Sequence, residues 1–408
     1  MKTVVIGLLF WCAVGMQAQT GAKAPSQESS DLHRATPSSV NAGDYIYFSA
    51  QGPRGVDGTL PATFAAQARQ ALTHLKSAVE AAGLTMDHVV YTTVYLTDVG
   101  RYAEMNHVFG EFFGKIPPAR AVLGVAALPD PPIEINAVAV RSLTDKRAVY
   151  PANYKSDEPF SPGILTKDRL FVSAMLAVDG SNLQDPAAQV DFALDRMKAV
   201  VEAAGLDLGH MVFVNPYLTA QLPMRVMNQH YASRFEFGNT PARATIEVSS
   251  LPGGDQIEFT GVAVRDLKER RAVRPKNMPP SPTASPCVFA GDTLYCSAKS
   301  GFIPGPNGGV YFSTTALQLR QTMRNLLDNL EEADMDFCQV VSTNVYLDDL
   351  TDTPAFDEVY AKYFRDASPA RTTIQQIAPT ERNPEKDGHY PDLEQVSLVA
   401  VRGECHGQ

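Results

Sequence analysis

Three arginines, Arg120, Arg243 and Arg371, each close a Pro-Ala-Arg tripeptide in a chain of 408 residues. A guanidinium is planar, stays charged at any relevant pH and offers a fork of N–H donors that matches a carboxylate. Its recurrence in one tripeptide points to places where a small organic acid is gripped, although an arginine beside a strand also serves as a surface or ion-pairing residue. A carboxylate across a cleft from such an arginine can orient a water for attack on a C=N carbon. Other chemistries find less support. Ser49, Ser173 and Ser297 have no base assigned to them, so a serine-nucleophile triad is not indicated. No cysteines or histidines show the close spacing of a zinc site, and no metal or organic cofactor is expected.

The elements that position these arginines recur with them. Leu72–Leu84 reads LTHLKSAVEAAGL, Leu194–Leu206 reads LDRMKAVVEAAGL, and a degraded copy, MRNLLDNLEEADM, spans Met323–Met335. Each is followed by a β-branched and aromatic run: Val89–Leu96, Met211–Leu218 and Val340–Leu347. In the first copy Phe64, Ala68, Leu72, Leu75, Val79 and Ala82 recur every three to four residues, which predicts an amphipathic helix closed by Gly83. A second helical face begins near Asn106, with Met105, Val108, Phe109, Phe112 and Phe113. Further strands are predicted at Tyr45–Ser49, Ala121–Ala127 and Ile133–Val140. Each unit is therefore α+β, a mixed sheet with two helices on one face. Similar joints at Arg147–Pro151 and Arg271–Pro275 set the expected boundaries: domain one over 35–150, domain two over 151–274 and domain three over 275–408.

The formal charge of −10 and the absence of long Lys/Arg runs argue against nucleic acid as a partner. Residues 1–18 carry a positive start, an apolar stretch and a small-residue exit, the pattern of a cleaved signal peptide, with 19–34 as a loose leader. The apolar run falls short of the roughly 20 residues a spanning helix needs. An exported protein, periplasmic or secreted and without a membrane contact after cleavage, is the expectation. Cys12 lies in the signal, which leaves Cys287, Cys296, Cys338 and Cys405. In an oxidising compartment three pairings are open to them. Cys287–Cys405, at the two ends of the third repeat, is favoured, while Cys296 and Cys338 read equally well as buried free thiols.

The helix text ending in AAGL, the TTVYLTD strand, the N-x-x-F/Y-x-x-x-F helix and Pro-Ala-Arg followed by Leu-Pro and Ile-Glu together resemble the reactive intermediate deaminase (RidA, or YjgF) family. The resemblance covers all three copies and fades in the third. It implies a chorismate-mutase-like fold for each copy. Members typically form homotrimers with clefts at subunit boundaries, so one chain with three units implies an intramolecular pseudo-trimer and a monomer in solution. It also implies that Arg120, Arg243 and Arg371 hold a substrate carboxylate and that Glu134, Glu258 and Glu394 are the catalytic carboxylates. The family's helix asparagine maps to Asn106 and Asn228, with Asp357 in the third copy. Its Ser-Gly-Gln segment maps to Ser49-Ala50-Gln51, Ser173-Ala174-Met175 and Ser297-Ala298-Lys299, which implies substrate contacts for Ser49 and Ser173.

The activity implied is hydrolysis of a 2-imino acid to a 2-keto acid and ammonia, with a small carboxylate-bearing metabolite as partner. Asp357 and the polar insert Glu381–Tyr390 predict an impaired or altered third arginine site. Export sets this activity against its usual setting, because such imines arise mainly inside cells. A non-catalytic binding protein for small carboxylates and a chaperone-like interaction protein stand as alternatives. The three-domain cyanuric acid hydrolase pattern of repeated Ser and Lys fails at Leu327, opposite Lys76 and Lys198.

Overall fold

A computed structural model of the chain describes residues 36–405 except 153, 156–157, 176–184, 306–307, 366–367, 385–388 and 404. The predicted signal peptide and leader lie outside the described residues.

Among the described residues six α-helices alternate in long and short pairs: α1 Phe64–Ala81 with α2 Tyr102–Gly110, α3 Pro186–Ala203 with α4 Met224–Ala232, and α5 Thr315–Glu332 with α6 Thr353–Tyr360. The long helices start where a side-chain oxygen, from Thr63, Asp185 or Thr314, accepts an otherwise orphaned backbone N–H. They end just before a left-handed residue, Gly83, Gly205 or Asp334.

The first copy builds a five-stranded sheet ordered Ser39–Ala42, Tyr45–Gln51, Ile133–Val140, Val89–Leu96, Ala119–Gly124. The last pair is parallel, as a crossover through α2 requires. The other copies repeat this order around Met211–Leu218 and Val340–Leu347, the strands expected there. Two small differences have local causes. The strand expected at Ala121–Ala127 runs from Ala119 to Gly124, because it follows Val89–Leu96 only that far. In the second copy it breaks into Ala242–Arg243 and Ile246–Glu247. At both joints a strand belongs to the sheet that follows it: Arg147–Val149 pairs with Gly163–Leu165, and Arg270–Val273 with Cys287–Ala290.

Strand alternation sorts the core into two layers. Ile46 and Phe48 pack under α1, whereas Tyr45 and Tyr47 point to the opposite face. Leu170 and Val172 likewise face the helices of the second copy and Phe171 the other side. That other face is a single apolar cluster drawn from all three copies, including Tyr95, Phe213 and Tyr346. At its edge the buried Arg169 of the second copy donates to Tyr295 at 3.0 Å and Thr293 at 2.6 Å in the third, and lies 4.3 Å over the ring of Tyr45 in the first.

The cysteines correct the pairing expected from the sequence. Cys287 is bonded to Cys296, and Cys338 to Cys405, so neither Cys287–Cys405 nor free Cys296 and Cys338 thiols occur. Hairpin register is the reason for the first pair: Cys287 and Cys296 face each other across adjacent antiparallel strands, 4.1 Å apart at Cα. Register cannot be read from chain ends, which is why proximity to the termini of the repeat misled.

Candidate active site

Each Pro-Ala-Arg arginine is the second residue of its strand, opposite Thr92, Val214 or Thr343 of the neighbouring central strand. Its backbone N–H crosses to another copy and donates to a serine hydroxyl: Arg120 to Ser173 at 2.8 Å, Arg243 to Ser297 at 2.8 Å and Arg371 to Ser49 at 2.9 Å. The bonds run from copy one to two, two to three and three back to one. Each serine donates its own proton to a carbonyl of its copy, that of Pro37, Ser161 or Ser285. Ser49 and Ser173 therefore brace the backbone that carries the arginine, with the hydroxyl proton already used.

The residue before each of those carbonyls differs from boundary to boundary. Thr36 and Ala284 line cavities of about 430 and 440 Å³ beside Arg371 and Arg243. Phe160 stands at that place beside Arg120, its ring 5.0 Å from the guanidinium, with Phe109 at 4.7 Å on another side. Arg120 is only 2% exposed. Its Nη2 donates to the Tyr102 hydroxyl at 3.3 Å and lies 3.9 Å from Glu158, to which Tyr102 also donates. Its Nη1 is buried with no hydrogen-bond partner among the described residues, as is Asn106 Oδ1. Asn106 is thus not joined to Arg120 as Asn228 is to Arg243, through a 2.7 Å hydrogen bond. Asp357 replaces the amide in the third copy and pairs with Arg371 at 2.6 Å.

The glutamates come from the copy across the boundary. Glu258 and Arg120 act on each other's ionisation, and Glu134 lines the cavity of Arg371. Burial raises the Glu134 carboxyl to about 8, against which the Asp130 backbone N–H, at 2.8 Å, pulls it down. Burial also pushes Glu258 well up, with Asp255 and Glu158 adding repulsion.

Glu394 does not belong to this set. Glu134 and Glu258 pair in register with Tyr95 and Tyr217, but the partner of the equivalent Tyr346 is Gln395. Glu394 pairs with Leu347, the place of Ile133 and Ile257, and so points to the opposite face of the sheet. There it accepts the Thr322 hydroxyl of α5, and burial raises its carboxyl. Gln395 lines the Arg243 cavity in its stead. The longer loop before this strand hid the shift. Counting back from Val401, which pairs with Thr293 as Val140 does with Tyr45, would have found it.

Sequence reasoning also missed Glu158, Tyr102 and Phe160, which reach Arg120 from outside the motifs. Lys76 and Lys198 are helix-surface residues paired with Glu80 and Glu202. Among the described residues no cluster of His, Cys, Asp and Glu is arranged to hold a metal ion.

Comparison with known proteins matches this arrangement to a family. The family model described as endoribonuclease L-PSP matches residues 33–141, 151–265 and 277–379. The 2-iminobutanoate/2-iminopropanoate deaminase of Escherichia coli K12 is 44% identical over 107 residues, covering 25% of this chain and 84% of the relative. The protein DfrA of Myxococcus xanthus is 40% identical over 109 residues, covering 25% of this chain and 79% of its own. Over a longer span the chain resembles a chorismatase crystal structure with TM-score 0.52 and 13% identity, covering 77% of this chain and 93% of that one, which is a likeness of fold alone. Three matches of one model in one chain, with deaminases of reactive intermediates among the relatives, place the protein in the family of endoribonuclease L-PSP, in tandem triplicate.

Proposed function

We propose that the protein is a hydrolytic deaminase of 2-imino acids, acting in clefts between the copies of a covalent pseudo-trimer. The observation that carries this reading is Glu134, a carboxylic acid kept protonated to about pH 8, in one cavity with the arginine of a neighbouring copy. The arginine grips the substrate carboxylate. Water adds to the C=N carbon while the protonated carboxyl passes its proton to the nitrogen and takes one back from the added water, giving a carbinolamine. Release of ammonia leaves the 2-keto acid. A substrate that hydrolyses unaided needs only positioning and one proton transfer.

Arg371 and Glu134 share an open cavity, whereas Arg120, whose ionisation is coupled to that of Glu258, lies covered by Phe160 and Phe109. At both arginines an internal carboxylate, Glu158 or Asp357, already sits at the guanidinium, so the substrate must displace it. The two disulfides support export to an oxidising compartment. The test is ammonia release from imines generated in situ by an amino-acid oxidase. Acceleration by the wild type that is lost in Glu134→Gln or Glu258→Gln is the expected result and names the working cleft; no acceleration by the wild type overturns the proposal.

A further inference from the structure

The boundary between copies two and three differs from the other two in its charge. Arg243 is joined there to the neutral Asn228, and burial lowers its guanidinium with only Tyr231 opposing. No carboxylate is among the side chains that line the cavity of about 440 Å³, where Gln395 replaces the glutamate. A second cation enters from the third copy. Lys299 lines the same cavity, and burial alone lowers its amine. It stands two residues beyond the bracing Ser297, where Gln51 and Met175 follow Ser49 and Ser173, so a lysine is not needed to build the fold at this place.

Two half-buried cations facing one cavity, with no counter-charge among the described residues that line it, are costly, because desolvation is not repaid by pairing. A ligand with two anionic groups repays both. We propose that the Arg243–Lys299 cavity binds small dicarboxylic acids, one carboxylate on the guanidinium fork and the other on the Lys299 ammonium. The lining of Met224, Met278, Pro279 and Pro286 suits the short carbon chain between them. This cavity has no glutamate in its lining to serve as acid, so it holds its ligand without turning it over. The inference rests on the deaminase reading for one element alone, the grip of the arginine on a carboxylate.

Isothermal titration of the whole protein at low ionic strength, with succinate and 2-oxoglutarate against butyrate and 2-oxobutanoate, tests it. The wild type should bind the dicarboxylates about tenfold or more tightly, the range of one charge-assisted pair. Lys299→Met, which installs the residue of the second copy, should erase that preference and leave the monocarboxylate affinity in place, and Lys299→Arg should restore it. A wild type with no preference, or a Lys299→Met variant that weakens both ligand types alike, overturns the proposal. Ammonia release from monocarboxylic imines is measured on the same samples. Its absence with the Lys299-dependent preference intact removes the deaminase reading alone; its presence without the preference removes this one alone.

Discussion

Glu134 releases its proton near 4.5 in the unfolded chain but holds it to about 8 in the folded protein. Between those values the native state binds the extra proton, so this residue's contribution to stability declines as pH rises through that window. Glu134→Gln keeps the shape and an acceptor for Asp130 but cannot ionise. Its melting temperature relative to wild type should climb steadily from about pH 5 to about pH 8 and then level off, as followed by circular dichroism. A flat difference would mean that Glu134 titrates as it does in solution. Asp357 poses the opposite case, a carboxylate on Arg371 where the second copy uses an amide on Arg243. Asp357→Asn should free the guanidinium and strengthen monocarboxylate binding by about tenfold in titration calorimetry, an increment of one charge-assisted interaction. The residue types needed for this argument are plain in the sequence, and so is the clash of Asp357 with an acidic ligand. Which glutamate meets which arginine is not, because the pairs form across copies, between residues far apart in the chain.

At the scale of the element, the helix ends offer a direct comparison. The left-handed turn that closes α1 and α3 is made by Gly83 and Gly205, at φ of 77° and 80°, but after α5 it is made by Asp334 at 57°. A side chain in that region crowds the following carbonyl, which glycine avoids. Asp334→Gly should therefore stabilise the protein by about 0.5–1 kcal/mol, read as a shift in urea midpoint with unchanged slope. Both the helices and the three central strands were legible, since a period near 3.6 and a β-branched, aromatic run are each written locally. Phe112 and Phe113 look like a continuation of α2, yet the helix ends at Gly110 and only Met105, Val108 and Phe109 of that face are buried. Glu394 shows the limit of local reading most clearly. An acidic residue after a leucine mimics the Ile-Glu of the other copies, and only strand pairing reveals that the extra loop length has moved it to the other face.

Over the whole molecule, the shared apolar cluster and Arg169 hold the copies to one another. Arg169 gives two hydrogen bonds to copy three and a ring contact to copy one, all in a buried setting. Arg169→Met should cost about 3 kcal/mol or more in chemical denaturation, the scale for breaking a buried charged network. Reduction should lower the melting temperature as well, chiefly through Cys338–Cys405, which spans 67 residues, and Cys338→Ser should reproduce most of that loss. The triplicate organisation was evident from the repeated text. What the repeats conceal is how unlike their boundaries are, because that difference arises from single side chains such as Phe160 and Lys299.

Tyr45, Arg169 and Thr293 occupy the same position in the three copies, each opposite a valine of an interior strand of its sheet: Val140, Val264 and Val401. A symmetric trimer spells such a position once and reads it three times, so a solitary arginine there is forbidden to it; three would repel, and none would leave the threonine without its donor and the tyrosine ring without its cation. Three copies within one chain are free of that restriction, and here each position carries a different residue. Removal of any one copy would therefore leave the contact through Arg169 incomplete, so the three copies depend on one another as a set.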